Sequence, residues 1–355
     1  MRQVALWFGC WWLLVGCVER ITLDESLSGE SLLVVDGVIT NADGPSVLQL
    51  SYTSGSLKTY EGNPVTGADV YITDEEGVRS DLEEINPLLG EYQTDSSSFR
   101  GVVGKTYTLH IVTPDGRTYA SSPETMREVA DIDSIYYKLE SRPVFTSLGD
   151  VRDEWGVQFY LNTGGDGSAT SYYQWKWIDT YQFSAPFPAS TTDPAVATCF
   201  QSTTSARTLT IGSSQGLSRD RVEGQKLNFV LKSGRTFQAR YSLLVQQLSL
   251  SEQAHTFWEN VQQQRTMAGS VFAPPPAPIA GNMYNANDEQ EVVLGYFQVS
   301  AVAERRIFVR RSEVPEGPGG SPGGFEECYG SDSVPDYCYD CSLMPGTTTT
   351  VPSFW

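Results

Sequence analysis

Three groups of residues in this 355-residue chain have types and spacing that could carry chemistry. Gly212-Ser213-Ser214-Gln215-Gly216 has the GxSxG spacing of a nucleophile elbow, in which a serine on a tight strand-to-helix turn is presented for attack. Asp220 and His255 follow in the chain order that such a triad needs. The context opposes it. A short stretch ending at Gly224 follows the motif where a helix should start. His255 lies one position off the apolar stripe of its own helix, which predicts an exposed side chain. Five small residues also suit a β-turn, so no catalytic residue is assigned and no enzyme is expected.

Asp131-Ile-Asp133, Asp74-Glu75-Glu76 and Gly164-Gly-Asp-Gly167 offer oxygens that calcium could use. None has the full spacing of a calcium loop, and turn chemistry accounts for all three. The chain has two histidines, His110 and His255, which excludes a histidine-rich metal centre. No metal and no cofactor are expected. Tyr173, Trp175 and Trp177 alternate along one strand face. Flat rings in a row can stack on sugars, and they can equally pack between sheets. The alternate face, Tyr172, Gln174, Lys176 and Ile178, is the more polar one, which turns the tryptophans toward the core.

The six cysteines divide by position. Cys17 ends an apolar run that starts at Val4 behind Met1-Arg2-Gln3, and it follows Leu14-Val15-Gly16. That arrangement reads as a secretory signal over residues 1–16, too short to span a bilayer comfortably. Gly16 lets the chain enter a narrow peptidase site, and the Cys17 thiol is the atom that accepts diacylglycerol in a lipobox. At about 0.8 kcal/mol per buried methylene, such an anchor is effectively permanent. Cys10 lies in the removed segment. Cys199, Cys328, Cys338 and Cys341 remain as disulfide candidates, an even number in an exported chain, with three pairings open. A zinc site or a redox Cys338-x-x-Cys341 pair would need companions that the sequence does not supply.

The elements that must position these residues read as short strands. Net charge is −19, which argues against nucleic acid. Alternating runs at Leu32–Thr40, Val47–Thr53, Ala68–Thr73 and Lys105–Val112 are separated by Gly, Asp and Pro turns. The fold class is therefore all-β. An immunoglobulin-like β-sandwich over 31–123 follows a lipidated tether at 17–30. A larger β-sandwich-like domain over 124–315 carries one amphipathic helix at 251–267, opened by a capping box at Ser249-x-x-Glu252. Residues 316–355 form a Gly/Pro-rich, cysteine-stapled tail.

Several stretches together carry a family resemblance. They include Val34-Val-Asp-Gly-Val-Ile-Thr40, Arg240-Tyr-Ser-Leu-Leu-Val245, Phe257-Trp258, Pro278-Ile-x-Gly281-Asn282, Val293-Leu-Gly-Tyr-Phe297, Arg306-Ile-Phe308 and the closing Pro352-Ser-Phe-Trp355. In number and order they resemble a family of Bacteroidota lipoproteins catalogued as a domain of unknown function, number four-two-four-nine. Ala273 departs from the pattern, standing where such sequences continue Phe-Asp-Pro. The resemblance implies an outer-membrane lipoprotein, often encoded beside a TonB-dependent transporter, with no established activity to carry over. The expected partners are the membrane, through Cys17, and a TonB-dependent barrel. A stand-alone surface glycan- or peptide-binding lipoprotein is one alternative, and a serine hydrolase using Ser214 is the remote one. Which side of the outer membrane the body faces stays open.

Overall fold

The computed structural model describes residues 31–54, 62–145, 149–164, 170–187, 198–206, 208–217, 220–232, 234–267, 278–314, 328–329 and 334–355. The chain is all-β with one long helix, α1 (Glu252–Met267). The predicted helix at 251–267 thus forms almost end to end. Its N-cap differs from the expected one. Ser251 accepts the Ala254 N–H at 3.0 Å, while Ser249 is still strand and spends its hydroxyl elsewhere.

The first sheet contains β1 (Leu33–Thr40), β2 (Val47–Tyr52), β3 (Asn63–Pro64), β4 (Asp69–Asp74), β5 (Arg79–Asn86), β6 (Glu91–Thr94), β7 (Thr106–Val112), β8 (Thr118–Ser121) and β9 (Glu124–Thr125). Its alternation is the one the sequence shows: Leu33, Val35 and Ile39 of β1 and Tyr107, Leu109 and Ile111 of β7 all point into one apolar core. Two strands from far along the chain complete it, β17 (Met283–Asn285) and β18 (Leu294–Ser300). β17 pairs with β8, and β18 lies parallel to β1 from Val34↔Leu294 to Thr40↔Ser300. The sheets therefore do not follow the division drawn at residue 123, because 283–300 returns to the first sheet.

The sheet runs β17-β8-β7-β4-β5-β6-β2-β1-β18 and nearly closes where β17 and β18 meet. The Asn282 side chain bridges that seam, accepting from Phe297 N–H and donating to Phe297 C=O, both at 2.9 Å. Backbones approach too closely there for side chains. A Cβ on Gly281 would lie 1.6 Å from the Gly295 carbonyl oxygen, and Gly295 itself has φ +91°. The Gly281-Asn282 and Leu294-Gly295 stretches, read above as family-like, are thus the parts of this seam.

The second sheet orders β10 (Ile132–Phe145), β11 (Val151–Gly164) and β15 (Arg221–Leu231). The third orders β19 (Val302–Arg310), β16 (Arg240–Ser249), β12 (Tyr172–Ser184), β13 (Thr198–Thr204) and β20 (Thr347–Thr348), with β14 (Thr210–Ser213) also on β12. The two sheets enclose a core of Val157, Phe159, Leu161, Trp175, Phe183, Tyr241 and Val245. Residue 301 alone separates β18 from β19, so the chain steps directly from the first sheet to the third.

The tail is fastened to this second lobe. Cys199 of β13 bonds Cys341, 142 residues away, and Cys328 bonds Cys338 across 10 residues. By the chain-entropy argument the long loop contributes roughly 5 kcal/mol and the short one roughly 3. β20 then adds to the edge of β13. Finally the last residues lie over the outer face of the third sheet: the Trp355 ring meets Phe200 and Phe308 edge-on at 5.1 and 5.9 Å, and Arg306 covers Phe354 at 3.6 Å.

Candidate functional site

Cys17 and the signal segment lie outside the described residues. The other residues singled out in the sequence are placed. Ser214 follows β14 and enters a turn, and among the described residues between it and β15 there is no helix. Its hydroxyl accepts the Ser171 N–H at 2.9 Å, and its own N–H donates to the Ser171 carbonyl. The Ser171 hydroxyl in turn donates to Asp220 at 2.9 Å. Ser214 and Asp220 therefore converge on Ser171, where they tie a sheet-crossing connection together.

His255 is a correction. It is buried at 4% exposure rather than solvent-facing. Its ring lies 4.9 Å from that of Tyr172, and Nδ1 is 3.6 Å from Glu259. Burial lowers its pKa, and Glu259 opposes that shift. The one-position offset from the stripe misled because α1 is covered on two sides, by β12 and by β18.

Tyr173, Trp175 and Trp177 are buried between the second and third sheets, which removes them as a sugar platform. Trp175 Nε1 donates to Gln247 Oε1 at 2.8 Å. The Gln247 amide then donates to the Ala130 carbonyl at 2.7 Å and to Thr163 Oγ1 at 2.9 Å. The Trp175 indole and the Gln247 amide are thus paired, as a low-dielectric setting requires, whereas the Tyr173 hydroxyl is buried without a hydrogen-bond partner among the described residues.

The carboxylate clusters are turn and ion-pair devices. Asp74 Oδ1 accepts the Glu76 and Val78 N–H groups, and Lys105 Nζ reaches Asp74 at 3.0 Å and Glu76 at 2.6 Å. The Lys105 hydrogen bond, first among several, holds the Asp74 carboxyl down to about 2. Asp133 pairs with Arg221 at 3.0 Å. Residues 165–167 of the glycine-rich loop are outside the described residues.

The alternate face of β12, expected to be the exposed one, is partly covered, and the most distinctive polar chemistry gathers there. It meets the outward face of β18 and the side of α1. Gln298 is the hub. Its Oε1 accepts from Trp258 Nε1 at 2.9 Å, and its Nε2 donates to Gln174 Oε1 at 3.2 Å and Ser300 Oγ at 2.9 Å. Ser300 donates to the Ser249 carbonyl at 2.6 Å, and Ser249 donates to the Arg127 carbonyl at 2.7 Å. Beside the hub, Tyr296 donates to the buried carboxyl of Glu124. Desolvation raises the Glu124 pKa, partly offset by hydrogen bonds from Tyr296, Ser251 and Asn282.

Lys176 is two residues along β12 from Gln174, on the same face. It is half-buried, and among the described residues it makes no hydrogen bond or ion pair. Burial lowers its pKa, and the charge of Asp36 on the outward face of β1 pulls the other way. Chemically this is a partly desolvated amine that feels the charge of one carboxylate on the first sheet. The sequence offered no signal for Gln298, Glu124 or Lys176 beyond strand alternation, since each acquires its role from a neighbour more than 100 positions away.

The family model described as Domain of unknown function (DUF4249) matches residues 18–306. No curated protein matches the chain.

Proposed function

We propose that this chain, which belongs to the domain-of-unknown-function family DUF4249, is a non-catalytic lipoprotein of the outer membrane that serves as accessory or ligand-binding partner of a TonB-dependent transporter. The observation that carries the reading is the lipobox at Cys17, set fourteen residues ahead of the first described residue, Ser31. A lipid on that thiol would confine the body near membrane proteins and raise its effective concentration there. The form of the body supports a binding role. Ser214 is engaged as a turn cap, and between the lobes the amide network around Gln298 lies beside Lys176, which among the described residues has no hydrogen-bond or ion-pair partner.

The stand-alone glycan-binding alternative has lost its specific support, because Trp175 and Trp177 are core residues. The test is affinity purification of the tagged protein from outer membranes in mild detergent. Co-elution of a TonB-dependent barrel in near-stoichiometric amount is the expected result. Elution of the protein by itself would sink the partnership.

A further inference from the structure

We infer that the hairpin tip Pro87-Leu88-Leu89 is a contact for a zwitterionic lipid surface, which orients the body on the membrane that holds its anchor. The inference rests on the lipoprotein reading above. Its structural basis is the placement of this tip relative to the tether.

β5 and β6 pair down to Asn86↔Glu91, and β6 pairs with β2 at Gln49↔Glu91. Gln49 in turn pairs with Asp36 in the middle of β1, and β2 continues from there to Tyr52, which pairs with Leu33. The turn after Asn86 therefore projects at the end of the sheet where Leu33 begins, which is the end where the chain arrives from residue 30. Thirteen residues lie between Cys17 and Ser31, with a contour of at most about 50 Å. The tether therefore joins the body at the end of the sheet that carries this turn.

The composition of the turn is unusual for its place. Other turns of this sheet, Asn41-Ala-Asp-Gly44, Asp74-Glu-Glu-Gly77 and Thr113-Pro-Asp-Gly116, use residues that hydrogen-bond their own backbone or tolerate positive φ. The β5–β6 turn also closes on a positive-φ glycine, Gly90, but between Asn86-Pro87 and that glycine it presents Leu88 at 87% exposure, flanked by half-exposed Ile85 and Leu89. Among the described residues nothing buries the Leu88 side chain. Their backbone is held rigidly, however: Leu50 N–H donates to Gly90 C=O at 2.9 Å, and Gln49 Nε2 donates to Leu89 C=O at 3.1 Å. A fixed apolar tip gains by leaving water for the acyl boundary without loss of internal structure. The chain's net charge of −19 disfavours anionic lipid, so the surface it fits is zwitterionic.

A built-in control lies at the other end of the sheet. Val102 and Val103 form a second half-exposed apolar tip, next to Gly101, whose N–H donates to the carbonyl of Thr40 at the far end of β1. Eight residues of strand put the two tips about 26 Å apart along β1.

The experiment uses the full lipidated protein reconstituted in phosphatidylcholine–phosphatidylethanolamine vesicles. A single nitrobenzoxadiazole label is placed at Leu88→Cys or at Val103→Cys; the cysteines at 199, 328, 338 and 341 are bonded and do not compete. The expected result is a blue shift and quenching by brominated lipid at position 88, at least about threefold greater than at 103. Unchanged emission at 88 in protein that floats with the vesicles overturns the inference. So does equal quenching at both positions, or a shift that needs no lipid and grows with protein concentration, which would mark a second copy as the occupant. A shift seen only in membranes containing the transporter would assign the tip to that protein and equally overturn it. Intact mass reads the anchor separately. A mature chain without acyl groups refutes the lipoprotein reading, and the tip is then judged by whether the unanchored protein still shifts at 88 when vesicles are added.

Discussion

Trp258 of α1 and Gln298 of β18 share a hydrogen bond of 2.9 Å, and through it the long helix is fastened to the strand that leads from one lobe into the other. The same amide reaches Gln174 of β12 and Ser300. One side chain thus links the helix, the first sheet and the third. Replacing it by an apolar residue of similar size leaves the indole N–H and the Gln174 oxygen buried without that partner. Unmade buried hydrogen bonds cost about 1–3 kcal/mol each. We therefore predict that Gln298→Leu loses about 2–4 kcal/mol in urea or thermal unfolding. Trp258→Phe, which removes one donor and leaves the amide its other partners, should lose about half as much. Equal losses would show that the network does not act through Gln298.

Glu124 and Asp74 give opposite pH dependences. The buried Glu124 carboxyl has its folded pKa raised by desolvation above the ordinary 4.5, so the folded state binds its proton more tightly than the unfolded chain does. Its contribution to stability is fully present below about 4.5 and is lost as pH rises through the folded value. Asp74 is held down to about 2 from 3.8, so its contribution is present above 3.8 and is lost as pH falls toward 2. Glu124→Gln, which keeps the shape without the ionisation, should flatten the decline of stability above pH 4.5 and leave the acid limb untouched. Unfolding curves measured at half-unit steps from pH 3 to 8 check this. A slope unchanged in Glu124→Gln would refute the assignment.

Much of this fold is legible in the chain, and the parts that are not share a cause. Strand positions such as Leu33, Val35, Tyr107 and Leu109 follow from alternation, because each strand buries one face locally. The inward turn of Trp175 and Trp177 followed from the polar character of the opposite face. That opposite face is itself partly covered. Gln174 is buried because β18 and α1 close over it, and no local pattern in β12 encodes a strand 120 residues later. His255 failed for the same reason. Stripe arguments assume one covered side, whereas this helix sits in an angle between sheets. The boundary at 123 missed β17 and β18 because their partners, β8 and β1, lie far upstream. The disulfide pairing was open in the sequence. It joins Cys199 with Cys341 and leaves the neighbouring Cys338 to Cys328, an arrangement set by where β13 meets the tail.

Lys176 offers the most direct probe of the space between the lobes. Its amine is partly desolvated, among the described residues it has no hydrogen-bond or ion-pair partner, and its pKa is lowered. More of it is therefore neutral, and so nucleophilic, at mildly alkaline pH than of an ordinary surface lysine. Trace reductive methylation read by peptide mass spectrometry should show its reactivity rising at lower pH than that of a lysine in a short model peptide. Asp36 is the carboxylate that offsets the shift, so Asp36→Asn should move the Lys176 midpoint further down. A midpoint that stays put in Asp36→Asn would show that the two residues do not face each other in solution. An upward shift on adding a carboxylate or phosphate compound, absent in Lys176→Met, would identify this amine as an anion anchor.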